Sequence, residues 1–425
     1  MVSHPESQVI RHRRVPIYGI IMGLIFLSTL ITYFDRVNIS LLIPTLERNF
    51  HWTDAQVGLF LSAFFLGYTI FQIPGGLWSD RGGGKRPLAV GAAWWSIFTM
   101  LSAFGVTIPL MSAARFGMGM GEAMNFPADT ELTAKWVPQK HRSRATGFNL
   151  SAIALGPLIA TPLTIAILTA WGWRMVFVFY GIIGLLWVVA WSWYGRSRPE
   201  DHRSVTPDEL AAIHAPDTRV QAEARSAPFR SWALWGMCIS YFFLLYTLYL
   251  FLSWLPTYLE QARHFSTGSL ALVGTIPWAV AFVTMNVGGW IIDGMIARGR
   301  TAGSARRLLI YIGLVGSAVF AVLGARVGGP GMAVALISVS MGFMGFCFSP
   351  YWALPIDYAP HNPGGASGLM NTWGNIAGIV APAVTGFLVT ASGNWDLALY
   401  ISSALAVIGA IILWTSSFGR VQASD

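Results

Sequence analysis

Four ionisable residues stand inside long apolar runs: Asp35, Arg36, Arg115 and Glu122. The first two lie in LSTLITYFDRVNISLLI and the second two in SAARFGMGMGEAMNF. A charge in hydrocarbon surroundings is expensive, so residues of this kind are generally kept for function. An arginine stays protonated and offers a fork of donors that matches a carboxylate. A carboxyl withdrawn from water favours its neutral form and can exchange a proton near neutral pH. Two of each suit a site that binds an organic anion together with a proton. In this reading Arg36 holds the anion, Asp35 and Glu122 carry protons, and Arg115 tunes them. The competing reading is a static ion-pair lock between two helices.

These residues need elements to carry them. Charged residues are only 11% of the 425, hydrophobic residues are 54%, and mean hydropathy is +0.56. A water-soluble domain carries roughly 25% charged residues. The expected fold is an all-α membrane protein. A spanning helix needs about 20 mainly apolar residues, and twelve spans are expected: 17–45, 54–79, 87–106, 108–134, 144–169, 173–195, 232–259, 267–296, 307–326, 331–356, 365–390 and 397–417. The polar stretch 196–230 divides them into two six-helix halves, 1–195 and 231–425, with 196–230 as a cytoplasmic linker.

Basic residues give the orientation. Of 27 Lys and Arg, 21 fall in segments on the side of the termini and four (Arg48, Arg174, Arg263 and Arg326) on the other. Lys and Arg favour the cytoplasmic side, so both termini are expected there, in a bacterial inner membrane. The first apolar run is too long for a cleavable signal peptide.

Depth follows from the helical rise. With span 1 centred near Ile31, Asp35 and Arg36 lie roughly 6–8 Å to the outer side. With span 4 centred near Gly121, Glu122 is central and Arg115 lies roughly 9 Å outward. Arg115 and Glu122, seven apart, share a helix face. Neighbours Asp35 and Arg36 diverge by about 100°. A cross-helix pair of Asp35 with Arg115 is the expected geometry.

The halves echo each other: Gly76-x-x-x-Asp80 closes span 2 and Gly289-x-x-x-Asp293 closes span 8. Repeated halves around a central pathway are a transporter pattern. The stretch Gly76-Leu77-Trp78-Ser79-Asp80-Arg81-Gly82-Gly83-Gly84-Lys85-Arg86 resembles the signature loop of the major facilitator superfamily, with Gly84 where that family often has Arg. Four segments resemble its anion:cation symporters, which include hexuronate, galactonate and glucarate carriers. They are Tyr33 to Asn38, Arg115 to Glu122, Trp254 to Leu259 and Gly374 to Gly378. The resemblance implies alternating access, a gate at Asp80, Arg81 and Arg86, and protons as coupling ion with no other cofactor. It also implies the roles given above for the four buried charges.

A sugar acid would need neutral partners for its hydroxyls. Candidates are Tyr33, Tyr68, Tyr249, Ser349, Trp352, Asn371 and Asn375, with Tyr246 a further tyrosine on span 7. Each has a bland alternative as a packing or interhelical residue. Ile153 is apolar where related carriers can place a polar group. Cys238 and Cys347 lie in apolar segments and read as packing residues. Gly117, Gly119 and Gly121 read as small residues for close helix packing. Gly82 to Lys85 lacks the spacing of a nucleotide loop, and the scattered histidines have no metal spacing.

The expected function is proton-coupled import of an organic anion, most simply a sugar acid. Aromatic or other carboxylic acids, and proton-coupled efflux by the same fold, stay open. No enzyme motif appears. The expected partners are a small organic anion and the lipid bilayer, without nucleic acid, and a monomer suffices for one pathway.

Overall fold

The computed structural model describes residues 16–138, 142–214, 231–358 and 363–417. Sixteen α-helices run in order: α1 (Ile17–Phe50), α2 (Asp54–Gly82), α3 (Lys85–Ser102), α4 (Ile108–Glu122), α5 (Asn125–Trp136), α6 (Arg142–Leu150), α7 (Ala152–Trp171), α8 (Trp173–Tyr194), α9 (Pro207–His214), α10 (Trp232–Gln261), α11 (Thr267–Val273), α12 (Ile276–Ala297), α13 (Ala302–Arg326), α14 (Pro330–Tyr358), α15 (Pro363–Ser392) and α16 (Trp395–Ser417). Three pairs are broken rods: α4–α5, α6–α7 and α11–α12. Counting each as one, and setting aside the short α9, leaves twelve rods. Ten are long and apolar enough to cross a membrane. The other two, α3 and α4–α5, are shorter or more polar.

The sequence predicts unbroken helices where these three breaks occur. Each break carries a tightened turn, from the amide of residue i to the carbonyl of i−3: Met124 to Gly121 (3.2 Å), Ser151 to Phe148 (3.1 Å) and Thr275 to Leu272 (3.2 Å). Such turns tighten the helix locally. The first falls immediately after Glu122. Helices α1 and α2 also run further than expected, to Phe50 and Gly82.

One end of the bundle holds the start of α1, the end of α8 and the start of α10; this is the linker end. The far end holds the α1–α2 turn, where His51 adopts a left-handed conformation and donates its amide to the Glu47 carbonyl (2.8 Å). Thr53 and Gln56 then cap α2 reciprocally, satisfying amides that a helix start leaves unpaired.

Packing partners repeat along the chain. Helix α2 packs on α4, α3 on α4 and α8, and α1 on α7. Correspondingly, α12 packs on α14, α13 on α14 and α16, and α10 on α15. The two sets meet through α1 with α10, α2 with α15, and α7 with α11 and α12. Cross-set bonds cluster at the far end: Gln261 donates to Glu47 (2.9 Å), Arg48 pairs with Glu260 (3.5 Å), and the Ala55 amide donates to Thr390 (2.8 Å). Small residues permit the closest approaches. A methyl on Gly386 would lie 2.2 Å from the Asp54 carbonyl oxygen. One on Gly119 would lie 2.1 Å from that of Phe64, so α4 presses its backbone directly onto α2.

The polar stretch after α8 docks against the first set. Trp136 donates to the Arg196 carbonyl (2.9 Å), and the Tyr18 amide to Glu209 (2.9 Å). Residues 215–230 lie outside the described ones.

Candidate functional site

Helix α1 brings Asp35 and Arg36 to the middle of the bundle, and α4 brings Arg115 and Glu122 against them. All four are buried, none more than 4% exposed. Arg36 donates from Nε to Glu122 Oε2 at 3.0 Å. Its guanidinium is enclosed by three rings: Tyr33 (4.9 Å to centroid), Tyr68 (4.9 Å) and Phe64 (5.1 Å). A cation against aromatic faces is held by their quadrupoles, more strongly when water is absent. Glu122 is the last residue of α4. The break follows it directly, and Glu122 Oε1 has no hydrogen-bond partner.

The expected Asp35–Arg115 side-chain pair does not form. Arg115 Nη1 donates to the main-chain carbonyl of Asp35 (3.2 Å) and approaches Met118 Sδ (3.5 Å). The reason is direction. The Asp35 carboxylate turns along its own helix, where Asn38 Nδ2 donates to Oδ1 (3.3 Å), and it faces Thr99 of α3. Asp35 Oδ2 and Arg115 Nε are left unpartnered. Arg115 also lies over Phe64, at 5.0 Å. One ring therefore carries both guanidiniums.

Across the interface, α10 and α15 supply neutral groups. Tyr249 OH donates to Asn375 Oδ1 (2.8 Å), and Asn375 Nδ2 donates to the Asn371 carbonyl (2.8 Å). The Tyr249 ring packs edge-on to Phe65 of α2, 4.4 Å between centroids. Tyr33, Tyr68 and Tyr249 all lie within electrostatic reach of Arg36. Trp352 of α14 is half-buried beside Tyr241. Ser349 lies instead against Gly289 of α12, at the α12–α14 interface. Ile153 is buried on α7. Tyr246 faces Thr385, apart from the cluster. Arg81 and Arg86 are exposed near the linker end, and the side chain of Asp80 lies outside the described ones.

The sequence reading passed over several members. Tyr241 lies near Tyr33 and Tyr68, stacks obliquely on Tyr351 (5.1 Å), and completes the aromatic lining. Phe64 is invisible as a site residue because nothing marks an aromatic in an apolar run. Glu131 of α5 takes the Gly84 amide (2.6 Å), so its carboxylate caps the start of α3 where the helix dipole favours negative charge. Asp129 is buried two residues earlier. The signal for both was available: α5 is the rod's polar half, with acids at 129 and 131.

The sequence profile of the Major Facilitator Superfamily matches residues 25–382. Among curated relatives, a probable sulfoacetate transporter of Cupriavidus necator is 34% identical, over 94% of this chain and 94% of that protein. A hexuronate transporter of Bacillus subtilis is 30% identical, over 91% and 92%. A chloroplastic ascorbate transporter of Arabidopsis thaliana is 32% identical, over 94% and 75%. The crystal structure of a bacterial homologue of the human lysosomal transporter Spinster superposes with a TM-score of 0.79 at 18% identity, covering 96% of this chain and 98% of that one. With a fold of paired helix sets and a profile match across most of its length, this multi-pass membrane chain belongs to the Major Facilitator Superfamily.

Proposed function

We propose that the protein is a proton-coupled importer of a small organic anion. The carrying observation is the Arg36–Glu122 pair at 3.0 Å, dry and enclosed by aromatic rings. Arg36 is the natural partner for a substrate carboxylate, yet Glu122 occupies it. Protonating Glu122 removes its charge and frees the guanidinium. A proton and an anion then enter together, and the pair re-forms when both leave. Asp35, with an unpartnered Oδ2 beside the main-chain anchor of Arg115, is the second proton acceptor. Tyr33, Tyr68, Tyr249 and Asn371 read the neutral part of the substrate.

Charge confined to one helix set, with neutral readers drawn from both, suits a ligand with one acidic end and a hydroxylated body. The hexuronate relative supports this class, and the sulfoacetate relative supports an organic anion. Closure at the far end, through α1, α2, α10 and α15, leaves the linker end as the side of release. With the linker in the cytoplasm of a bacterial cell, the direction is import and Asp80, Arg81 and Arg86 gate the inner side.

The test is uptake into proteoliposomes under an inward proton gradient, comparing glucuronate, galactonate, sulfoacetate and ascorbate. Accumulation of one of them, collapsed by a protonophore and lost in Arg36→Ala, is the expected result. Uptake that ignores the gradient refutes coupling. Absence of uptake of every acid, with folded and inserted protein, refutes the substrate class.

A further inference from the structure

Asp129 takes no part in the site, yet it is 6% exposed within the helix bundle. Thr133 Oγ1 donates to its Oδ1 (3.0 Å), and Asn149 Nδ2 of α6 donates to its Oδ2. Among the described side chains no cation pairs with it. On its own helix, Glu131 is engaged by Lys135 and the Gly84 amide. On α3, Lys85 donates to the Ser192 carbonyl (3.1 Å) and Arg86 is exposed. On α2, Arg81 is exposed. The facing part of α1 presents Met22, which contacts Thr133. The side chains of Asp80, Arg142 and Arg144 lie outside the described ones.

A buried carboxylate without a cation is costly unless it serves a purpose. Its position suggests one. Asn125, Asp129 and Thr133 follow each other at spacings of four on one face of α5, and Asn125 stands just past the break after Glu122. The facing stretch of α1 carries Ser28, Thr29 and Thr32, and the last leads at the same spacing to Arg36. The two stripes bond to each other: Ser28 Oγ donates to Asn125 Oδ1 (2.6 Å), and Asn125 Nδ2 donates to Thr29 Oγ1 (3.1 Å). A polar seam thus runs from the Arg36–Glu122 pair towards the linker end, with Asp129 as its next titratable group.

We propose that Asp129 is a further proton station of the transport cycle, receiving the proton that Glu122 releases and passing it to the linker-end solution. This rests on the proposed proton coupling. Glu122 gives up its proton and re-forms the ion pair with Arg36. The proton crosses the hydroxyls of the seam, with water bridging where two or more polar groups can hold it. Asp129 becomes neutral, and the Thr133 hydroxyl, which can accept as readily as donate, turns to accept from it. Loss of the proton to solution restores the starting bonds.

Infrared difference spectroscopy of the full chain in lipid, between about pH 4 and about pH 9, tests this without a substrate. A carboxyl C=O band that titrates in this range and vanishes in Asp129→Asn is expected. In Glu122→Gln its midpoint shifts by about one pH unit, the effect of one charge roughly 10 Å away at an effective dielectric near 20. Absence of the band, or a midpoint indifferent to Glu122, overturns the proposal. In proteoliposomes, gradient-driven uptake of the acid found by the screen falls about tenfold in Asp129→Asn, equivalent to one pH unit of mismatch. Counterflow of the same acid stays unchanged, and Asp129→Glu restores driven uptake. Equal loss of both modes, unrescued by Glu, assigns Asp129 a purely structural role. Should no acid accumulate at all, the import reading fails, while the infrared result still decides the status of Asp129.

Discussion

Replacing Glu122 by glutamine separates charge from shape. The amide oxygen can still accept from Arg36 Nε, so the 3.0 Å contact survives as a hydrogen bond from the guanidinium to a neutral acceptor. What disappears is the carboxylate's hold on the guanidinium. At 3.0 Å and an effective dielectric near 20, that attraction is about 5 kcal/mol as an upper bound. Relaxation and the aromatic enclosure reduce it, and a net release of about 2 kcal/mol corresponds to roughly 30-fold tighter anion binding. The pH dependence carries the sign. In the natural protein, acid protonates Glu122 and frees Arg36, so anion binding tightens as pH falls and weakens as pH rises. In Glu122→Gln the guanidinium is free at every pH, and binding becomes tight and flat. Calorimetric titration of the transported acid at several pH values reads this directly. Proteoliposomes supply the second readout. With one proton per anion, one pH unit of gradient supports about tenfold accumulation, whereas the variant equilibrates without accumulating and still exchanges labelled for unlabelled acid. A variant that accumulates, or whose affinity keeps the natural pH profile, refutes the role of Glu122.

Three further outcomes follow from the geometry. Gly119→Val puts a side chain 2.1 Å from the Phe64 carbonyl oxygen; about 1–3 kcal/mol of overpacking should lower the thermal midpoint, read by fluorescence-detected size exclusion, and weaken anion binding because Phe64 moves. Tyr249→Phe leaves Asn375 Oδ1 without its 2.8 Å donor; the cost of about 1–3 kcal/mol for an unsatisfied buried acceptor should appear as a raised KM for the hydroxylated acid, with exchange intact. Arg48→Ala removes a pair whose arginine is 63% exposed; its effect on stability should be below about 1 kcal/mol, and a larger loss would show that the far-end seal depends on this pair.

Much of the architecture was legible because a bilayer demands long apolar helices and penalises stray charge. Asp35, Arg36, Arg115 and Glu122 declared themselves by contrast with their surroundings. Their pairing was not legible. Depth along a helix axis placed Asp35 and Arg115 at one level, but it says nothing about where a side chain turns, and Asp35 turns towards Asn38. Conversely, Arg36 and Glu122 sit at different depths, and the long arginine stem closes the gap. The helix break after Glu122 was hidden by the apolar continuity of the sequence. Phe64 and Tyr241 could not be told from the many aromatics that merely pack. Asp129 was passed over because α5 reads as the polar end of a span, where an acid looks solvated until α1 and α6 are seen to cover it.

Among the described residues, the buried charges of the site all belong to α1 and α4, while α10, α14 and α15 meet it with tyrosine, tryptophan and asparagine. Under the proposed function, proton coupling rests with the first half of the chain, while the neutral side chains contributed by the second half serve ligand choice. Under that proposal, substitutions in the latter half would retune which acid is carried while leaving the charged groups of α1 and α4 in place.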